Sequence, residues 1–408
     1  MRKLITFIIS FILIFSNINY ITFAKDNPPA VSADGVVLMD AQSGEVLYAK
    51  NAYGAYPPAS TTKLMTALLT LEKTKLDDVV KVGKNPPLAD GSKIYLFEGE
   101  ELKVQDLLYG LLLVSGNDCA EALAEHISGS TDKFAEEMNK RALELGCKNT
   151  NFVNPSGLYN DKHKTSAMDL ALIMRELSKH PEYTKIATTS FYKIPTTNKS
   201  SSERPLWNEN KLIQKSSNLY YEGCQGGKTG YTVQSQHSYV SCATRNGQTL
   251  IVALIHDKEK TFFPDAAALF NYGFNNFELV RLFSKGDLVT TYTKDGTNIP
   301  LLASTDFYYV KEKGSNPNTK FDVNNKNLSD KNFKQGDIVS EATITLDNKN
   351  IGTLKLSSGN NHQLKQVFQS KLLEGNFLKL QYIIPAIIVI FAVLILILKK
   401  LKLIGKNL

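Results

Sequence analysis

The chain has 408 residues, 43% of them hydrophobic, and 47 Lys and Arg against 40 Asp and Glu give a formal charge of +7. That length exceeds one ordinary core and predicts two domains plus extras. The charge excess is mild, and no window combines basic residues with interleaved aromatics, which excludes a nucleic-acid groove.

In chain order, residues 1–24 open with Arg2 and Lys3, run apolar without another charge until Lys25, and end on Thr22-Phe23-Ala24. The pattern is that of a signal peptide cleaved after Ala24. "GVVLMDAQSGEVLYAKN" (35–51) predicts two strands joined by a turn at Gln42-Ser43-Gly44. "PPASTTKLMTALLTLE" (57–72) predicts a helix from Ser60 with a broad apolar face. "VQDLLYGLLLVSGNDCAEALAEHI" reads as a second apolar helical region, broken at Ser115-Gly116-Asn117. Two amphipathic helices follow, one capped by Ser130 and ended by Gly146, the other opened by Thr165 or Ser166 and stopped before Pro181.

From residue 219 strands take over: "GGKTGYT", then "HSYVSCATRNG" and "QTLIVALIHD" as a hairpin around Asn246-Gly247, then a helix in "DAAALFNYGF". Strands, helices and strands again imply an α+β domain, a mixed sheet closed by sequence-distant strands and packed with helices. Residues 277–372 alternate short strand-like runs with Asn-, Gly- and Lys-rich turns, the pattern of a small all-β sandwich in which "SNPNTKFDVNNKNLSDKN" is a long polar loop. Tyr382 to Leu398 is an unbroken apolar run followed by Lys399, Lys400, Lys402 and Lys406. It predicts a C-terminal transmembrane anchor with a basic cytoplasmic tail, 399–408, and the bulk of the chain outside. The expected domains are therefore 1–24, 25–276, 277–372, 382–398 and 399–408.

Cys119, Cys147, Cys224 and Cys242 allow three pairings, but they lack C-x-x-C spacing and two lie in apolar runs, so buried free thiols are expected. The six histidines form no H-E-x-x-H or i,i+4 pair, and no metal or cofactor is expected.

Three short motifs carry chemistry. S-x-x-K occurs at Ser60, Ser130 and Ser190, but only Ser60 opens a helix apolar enough to be buried. Residues i and i+3 share a helix face, so the Lys63 amine can reach the Ser60 hydroxyl. A serine hydroxyl needs a base to become a nucleophile, and burial with a neighbouring cation moves a lysine toward the neutral form that can serve. S-x-N occurs at Ser115, Ser216 and Ser358, and only Ser115 lies at a helix break where side chains can enter a cleft. There Ser115 can relay a proton, and the Asn117 amide can donate to and accept from a peptide backbone. K-T-G occurs once, at Lys228-Thr229-Gly230: a cation and a hydroxyl suited to a carboxylate, and a glycine that admits a second backbone.

The combination resembles the serine enzymes that bind penicillin. From about Gly35 to Phe277 it is similar to the low-molecular-mass penicillin-binding proteins that are D-alanyl-D-alanine carboxypeptidases. Supporting stretches are "NTNFVNPSGL" and "NYGFNNF". The resemblance implies a β-lactamase/transpeptidase-like catalytic domain, a β-rich second domain and a membrane anchor. It implies that Ser60 attacks the carbonyl between two D-alanines of a peptidoglycan stem peptide, that Lys63 takes its proton, and that Ser115 returns a proton to the leaving D-alanine. Asn117 would align the peptide, Lys228 and Thr229 hold the terminal carboxylate, and the N–H groups of Ser60 and Tyr231, beside Gly230, form the oxyanion hole. β-Lactam antibiotics would acylate Ser60. The chain departs from the family pattern at Ser156, usually His, at Phe262, usually Arg, and at Ser235-Gln236, usually Ala-Gly. His163 matches a family position and is read as structural. Two other readings share the motifs: a β-lactamase, for which no E-x-x-L-N lies between Ser115 and Lys228, and a catalytically impaired relative that binds wall peptides.

Overall fold

The computed structural model describes residues 27–294, 296–324, 327–364 and 371–404. The expected signal peptide and the last four residues of the basic tail lie outside them. Two compact units are present, the first running to Lys285 and adding Thr305–Phe321 and Ile344–Gly352.

In the first unit, β1 (Gly35–Asp40) and β2 (Val46–Lys50) form the expected hairpin, with Gly44 at φ 77° and the Asp40 carboxylate accepting from the Ser43 N–H at 2.8 Å. Next come α1 (Lys63–Lys73), the short ribbon β3 (Val79–Lys81) and β4 (Glu101–Lys103), α2 (Val104–Leu113), α3 (Asn117–Ser128) and α4 (Thr131–Glu144). After α5 (Ala167–Leu177), α6 (Pro181–Ala187) begins at the proline that was expected only to end a helix. Proline suits a first helical position, where its missing N–H costs no hydrogen bond. A second ribbon, β5 (Phe191–Ile194) and β6 (Arg204–Trp207), leads to β7 (Cys224–Thr232), β8 (Gln236–Arg245), β9 (Gln248–Asp257) and α7 (Phe262–Asn276).

The central sheet has the order β2-β1-β9-β8-β7, so the two ends of this unit's chain do close it. All four pairings are antiparallel, which corrects the expectation of mixed strand directions. The reason is connectivity: the helical excursion re-enters at the far edge as β7, and β8 and β9 follow by tight turns, leaving no crossover to set a parallel pair. At the β8–β9 turn Asn246 and Gly247 both take left-handed φ, 51° and 79°, as a two-residue hairpin requires. Alternate residues of β9 serve two cores: Ile251, Ala253 and Ile255 face the cluster built from α1 to α5, while Leu250, Val252 and Leu254 face α7. Burial on both faces explains why the strand is apolar without alternation from Leu250 to Ile255. Cys119, Cys147 and Cys242 are buried free thiols, and Cys224 is a half-buried one.

Beyond Asn276 lie β10 (Phe277–Phe283), β11 (Leu288–Lys294), β12 (Thr297–Ala303), β13 (Phe307–Glu312), β14 (Thr319–Val323), β15 (Ile338–Leu346) and β16 (Lys349–Ser358). β10 pairs with β13, and the other five form a sheet of order β11-β12-β16-β15-β14. In the second unit, Ile299, Leu301 and Ala303 of β12 and Leu354 and Leu356 of β16 are buried with the period of two that a one-sided sheet dictates. The stretch expected to be one long polar loop contains β14, whose alternation the surrounding Asn and Lys obscure. Finally, α8 (Lys371–Ile404) includes Leu380–Lys400, long and apolar enough to cross a bilayer, with its side chains exposed. It fits a membrane anchor.

Candidate active site

Pro57 and Pro58 deliver the chain into a 3-10 turn, Ala59–Thr62, from which α1 continues. The expected helix thus starts one turn tighter than an α-helix. Ser60 is half-buried on this turn, whereas Lys63 is fully buried. The Lys63 Nζ lies 3.0 Å from Ser60 Oγ, 2.6 Å from Asn117 Oδ1 and 2.6 Å from the Ser156 carbonyl oxygen. Burial, then the charge of Lys228, push its pKa far below the ordinary lysine range. A neutral amine has two N–H donors and one lone pair. The amide and backbone oxygens can only accept, so they take both donors, and the lone pair is left facing the one neighbour with a proton to give, the Ser60 hydroxyl.

Ser115 and Asn117 stand where α2 gives way to α3. Ser115 is held at φ 62°, a left-handed conformation that costs a serine about 1 kcal/mol or more. The Gly116 N–H donates back to the Gly110 carbonyl at 2.9 Å and closes the break. Asn117 is tied on its other side to the loop before β4: its N–H donates to the Ser92 carbonyl at 2.7 Å and its Nδ2 to the Asp90 carbonyl at 2.5 Å. The amide orientation is thereby fixed with Oδ1 on Lys63.

Lys228, Thr229, Gly230 and Tyr231 lie on β7, the sheet edge. A Cβ on Gly230 would stand 2.8 Å from the Pro58 carbonyl and 3.0 Å from the Ser60 nitrogen, so only glycine lets β7 lie against the Ser60 turn. Ser60, Ser115, Thr229, Gly230 and Tyr231 all line one open cleft of about 690 Å³, with Lys63, Asn117 and Lys228 buried behind them. Ser130 is elsewhere, as the N-cap of α4, and Ser190 precedes β5.

The D-alanyl-D-alanine carboxypeptidase family, peptidase S11, matches residues 22–259, and the C-terminal domain of penicillin-binding protein 5 matches 277–363. The chain belongs to the peptidase S11 family of D-alanyl-D-alanine carboxypeptidases. It is 33% identical over 312 residues to the D-alanyl-D-alanine carboxypeptidase DacF of Bacillus subtilis, covering 72% of this chain and 78% of the relative. With DacA of Haemophilus influenzae it shares 30% over 345 residues, 81% and 85% of the two chains. The crystal structure of penicillin-binding protein 5 from Haemophilus influenzae superposes with a TM-score of 0.70 at 32% identity, over 82% of this chain and 99% of that one.

This carboxypeptidase also uses residues that no motif singled out. The Ser156 carbonyl reaches Lys63 because Asn154 Oδ1 accepts from the N–H groups of Ser156 and Gly157, at 3.2 and 2.7 Å, and curls the turn inward. The departure at Ser156 is therefore mild: its backbone serves Lys63, while its hydroxyl bonds Asn154 Oδ1 at 3.2 Å. The buried Asp118 carboxylate accepts from Ile94 and Leu96 N–H groups at 3.0 and 3.2 Å and pins the loop that carries Ser92 to the cleft. An Asn-Pro-x-Gly turn and an acid one residue after S-x-N were visible signals, but their targets lie 93 and 24 residues away. His163 accepts from the Val153 N–H on Nδ1 at 3.2 Å, which leaves Nε2–H for Thr62 Oγ1 at 2.9 Å. Burial, then Lys63, lower its pKa to about 4, so it is a neutral strut under the Ser60 turn. Phe262 is buried against Phe263 and Tyr239 and forms an apolar wall of the cleft.

Lys228 is 3% exposed, and its Nζ donates to the Thr229 carbonyl at 3.0 Å. Burial lowers its pKa from 10.5 to about 8, with Glu209 opposing the shift. The folded state therefore binds fewer protons than the unfolded chain between those values. The charged lysine costs stability below pH 8, and the cost fades as pH rises toward 10.5. At 1.36 kcal/mol per pKa unit it amounts to about 3 kcal/mol. Lys228→Met is accordingly expected to raise Tm at pH 7, while weakening capture of carboxylate-ended peptides more than about tenfold. Calorimetry at pH 7 and pH 10 checks this, because the stability gain should shrink at the higher pH.

Proposed function

We propose that this serine-type D-alanyl-D-alanine carboxypeptidase works through an acyl-enzyme on Ser60, with the peptidoglycan stem peptide as substrate. Lys63, neutral in its buried pocket, takes the hydroxyl proton as Ser60 Oγ attacks the carbonyl of the penultimate D-alanine. The negative oxygen that forms is met by the N–H groups of Ser60 and Tyr231. Ser60 lies in the first turn of its helix, where N–H groups have no acceptor within the helix, and a donor so placed is typically worth ~3 kcal/mol in the transition state. Asn117 aligns the peptide, Lys228 and Thr229 hold the terminal carboxylate, and Ser115 passes a proton to the amine of the departing D-alanine. Water then opens the ester and restores Ser60. β-Lactams enter the same path and stop at the ester. The observation that carries this reading is the 3.0 Å approach of Lys63 to Ser60 with its other acceptors filled. A catalytically impaired relative would have no use for a lysine so deeply desolvated.

We further place the catalytic domain at 25–276 and the β-rich domain at 277–372, outside the cytoplasm. Export would use residues 1–24, cleaved after Ala24, with 382–398 crossing the membrane once and 399–408 inside. The apolar α8 and the lysines that follow its core support that arrangement.

The test is release of D-alanine from a pentapeptide stem mimic, with the penicillin adduct located by mass spectrometry. Ser60→Ala should abolish both at an unchanged Tm. An adduct that persists in the variant would place the nucleophile elsewhere.

A further inference from the structure

We propose that Lys260, on the open lip of the cleft, is a carboxylate-anchoring residue that draws the substrate's C-terminus into place. The proposal rests on the carboxypeptidase reading of this site. Of the residues lining the cleft, Lys260 and Glu209 carry the formal charges. Lys260 is exposed and makes no ion pair among the described residues. Lys228, by contrast, is buried behind Thr229 with its amine on a carbonyl, and Glu209 stands in its field. An incoming carboxylate therefore meets Lys260 as the uncompensated positive charge at the entrance. Phe262, which forms the adjoining wall, contributes none.

The backbone under Lys260 is built to hold it there. Asp257 is buried, and its carboxylate accepts from the Glu259 and Thr261 N–H groups, each at 2.9 Å, and from the Ser32 hydroxyl at 2.5 Å. Thr261 Oγ1 in turn donates to Asp265 at 2.8 Å, fixing the loop to the start of α7. Lys260 in this short loop takes left-handed φ, 59°, as does His256, at 60°, near the end of β9. Glycine would serve such a turn without strain. A lysine kept in that conformation at the lip of a cleft, with the next lysine back, Lys258, turned to Asp34 at 3.4 Å, is explained by what its side chain does. The ring of His237, stacked on Tyr231 at 4.4 Å, lies close enough to Lys260 to be held toward its neutral form, first by burial and then by that charge.

The experiment measures preference for a free terminal carboxylate over a carboxamide in otherwise identical peptides. The same preference is read with penicillin against its methyl ester, which needs acylation alone. Lys260→Gln should lower both ratios about three- to tenfold and Lys260→Glu by ~30-fold or more, chiefly through KM, while Lys260→Arg restores them. Added salt should erode the ratio in the unsubstituted protein and leave the Gln variant flat. Lys260→Gly, which suits the backbone, should keep or raise Tm while losing the preference, so a folding defect is separable. Ratios unchanged in the Gln and Glu variants would overturn the role of Lys260. No D-alanine release from the unsubstituted protein, with the penicillin ratios still sensitive to Lys260, would instead strike the carboxypeptidase reading and leave the anchor standing.

Discussion

Lys63→Arg is expected to lower the rate of acylation by labelled penicillin by about 10³-fold or more, since general-base catalysis contributes 10² to 10⁴ and a guanidinium does not give up its proton near neutral pH. The reason lies in the pocket. Lys63 is wholly buried, with two oxygens that only accept and one hydroxyl that can donate. An obligatory cation there would satisfy the two oxygens and still offer Ser60 no lone pair. The unsubstituted enzyme should gain activity as pH rises through the folded pKa of Lys63. Burial and Lys228 depress that value, so the acid limb belongs well below the ordinary lysine range. The residual activity of the arginine variant should show no such limb. Stopped-flow labelling across pH 4 to about 9 decides the matter, and near-native rates in Lys63→Arg would remove Lys63 from the role of base.

Gly157→Ala is expected to damage both stability and acylation. Gly157 sits at φ 85°, and a Cβ there would stand 1.9 Å from the Ala59 carbonyl oxygen, with Thr62 Oγ1 at 2.9 Å. A backbone oxygen cannot swing aside as a side chain can, and Ala59 is already at φ 48°. The turn holding the Ser156 carbonyl on Lys63 must therefore withdraw. Conformational strain and overpacking together predict a loss of about 3 kcal/mol. Acylation should fall by ~10²-fold as Lys63 loses an acceptor that orients it. Gly129→Ala is the control: φ is similar, 78°, but nothing lies within 4 Å of the added carbon. It should cost about 1 kcal/mol and leave acylation alone. Thermal melts and penicillin labelling of the two variants side by side check the pair, and equal effects would mean that crowding at Ala59 is not the cause.

The elements that sequence patterning made legible are those whose signals are local. The break at Ser115-Gly116-Asn117, the hairpin at Asn246-Gly247, the Ser130 and Ser166 caps and the apolar face of α1 each follow from a few adjacent residues, and each is present. The strand β14 was hidden because its alternation is short and embedded in polar turn residues. The antiparallel sheet was not legible because strand direction depends on where β7 re-enters, which no window of sequence records. The same limit applies within the site: the S-x-x-K, S-x-N and K-T-G residues could be named, but not the Ser156 carbonyl that shares Lys63, since a backbone oxygen has no sequence signature of its own.

By itself, then, the order of residues determined which side chains could do the chemistry, namely a hydroxyl and an amine one helical turn apart, a polar break in an apolar helix and a glycine-bearing strand. Only the tertiary structure decided that these three pieces meet, how dry the amine becomes, and which oxygens take its protons. Proton affinity is set by the atoms packed around a group, and in Lys63 those atoms come from residues 54 and 93 positions along the chain.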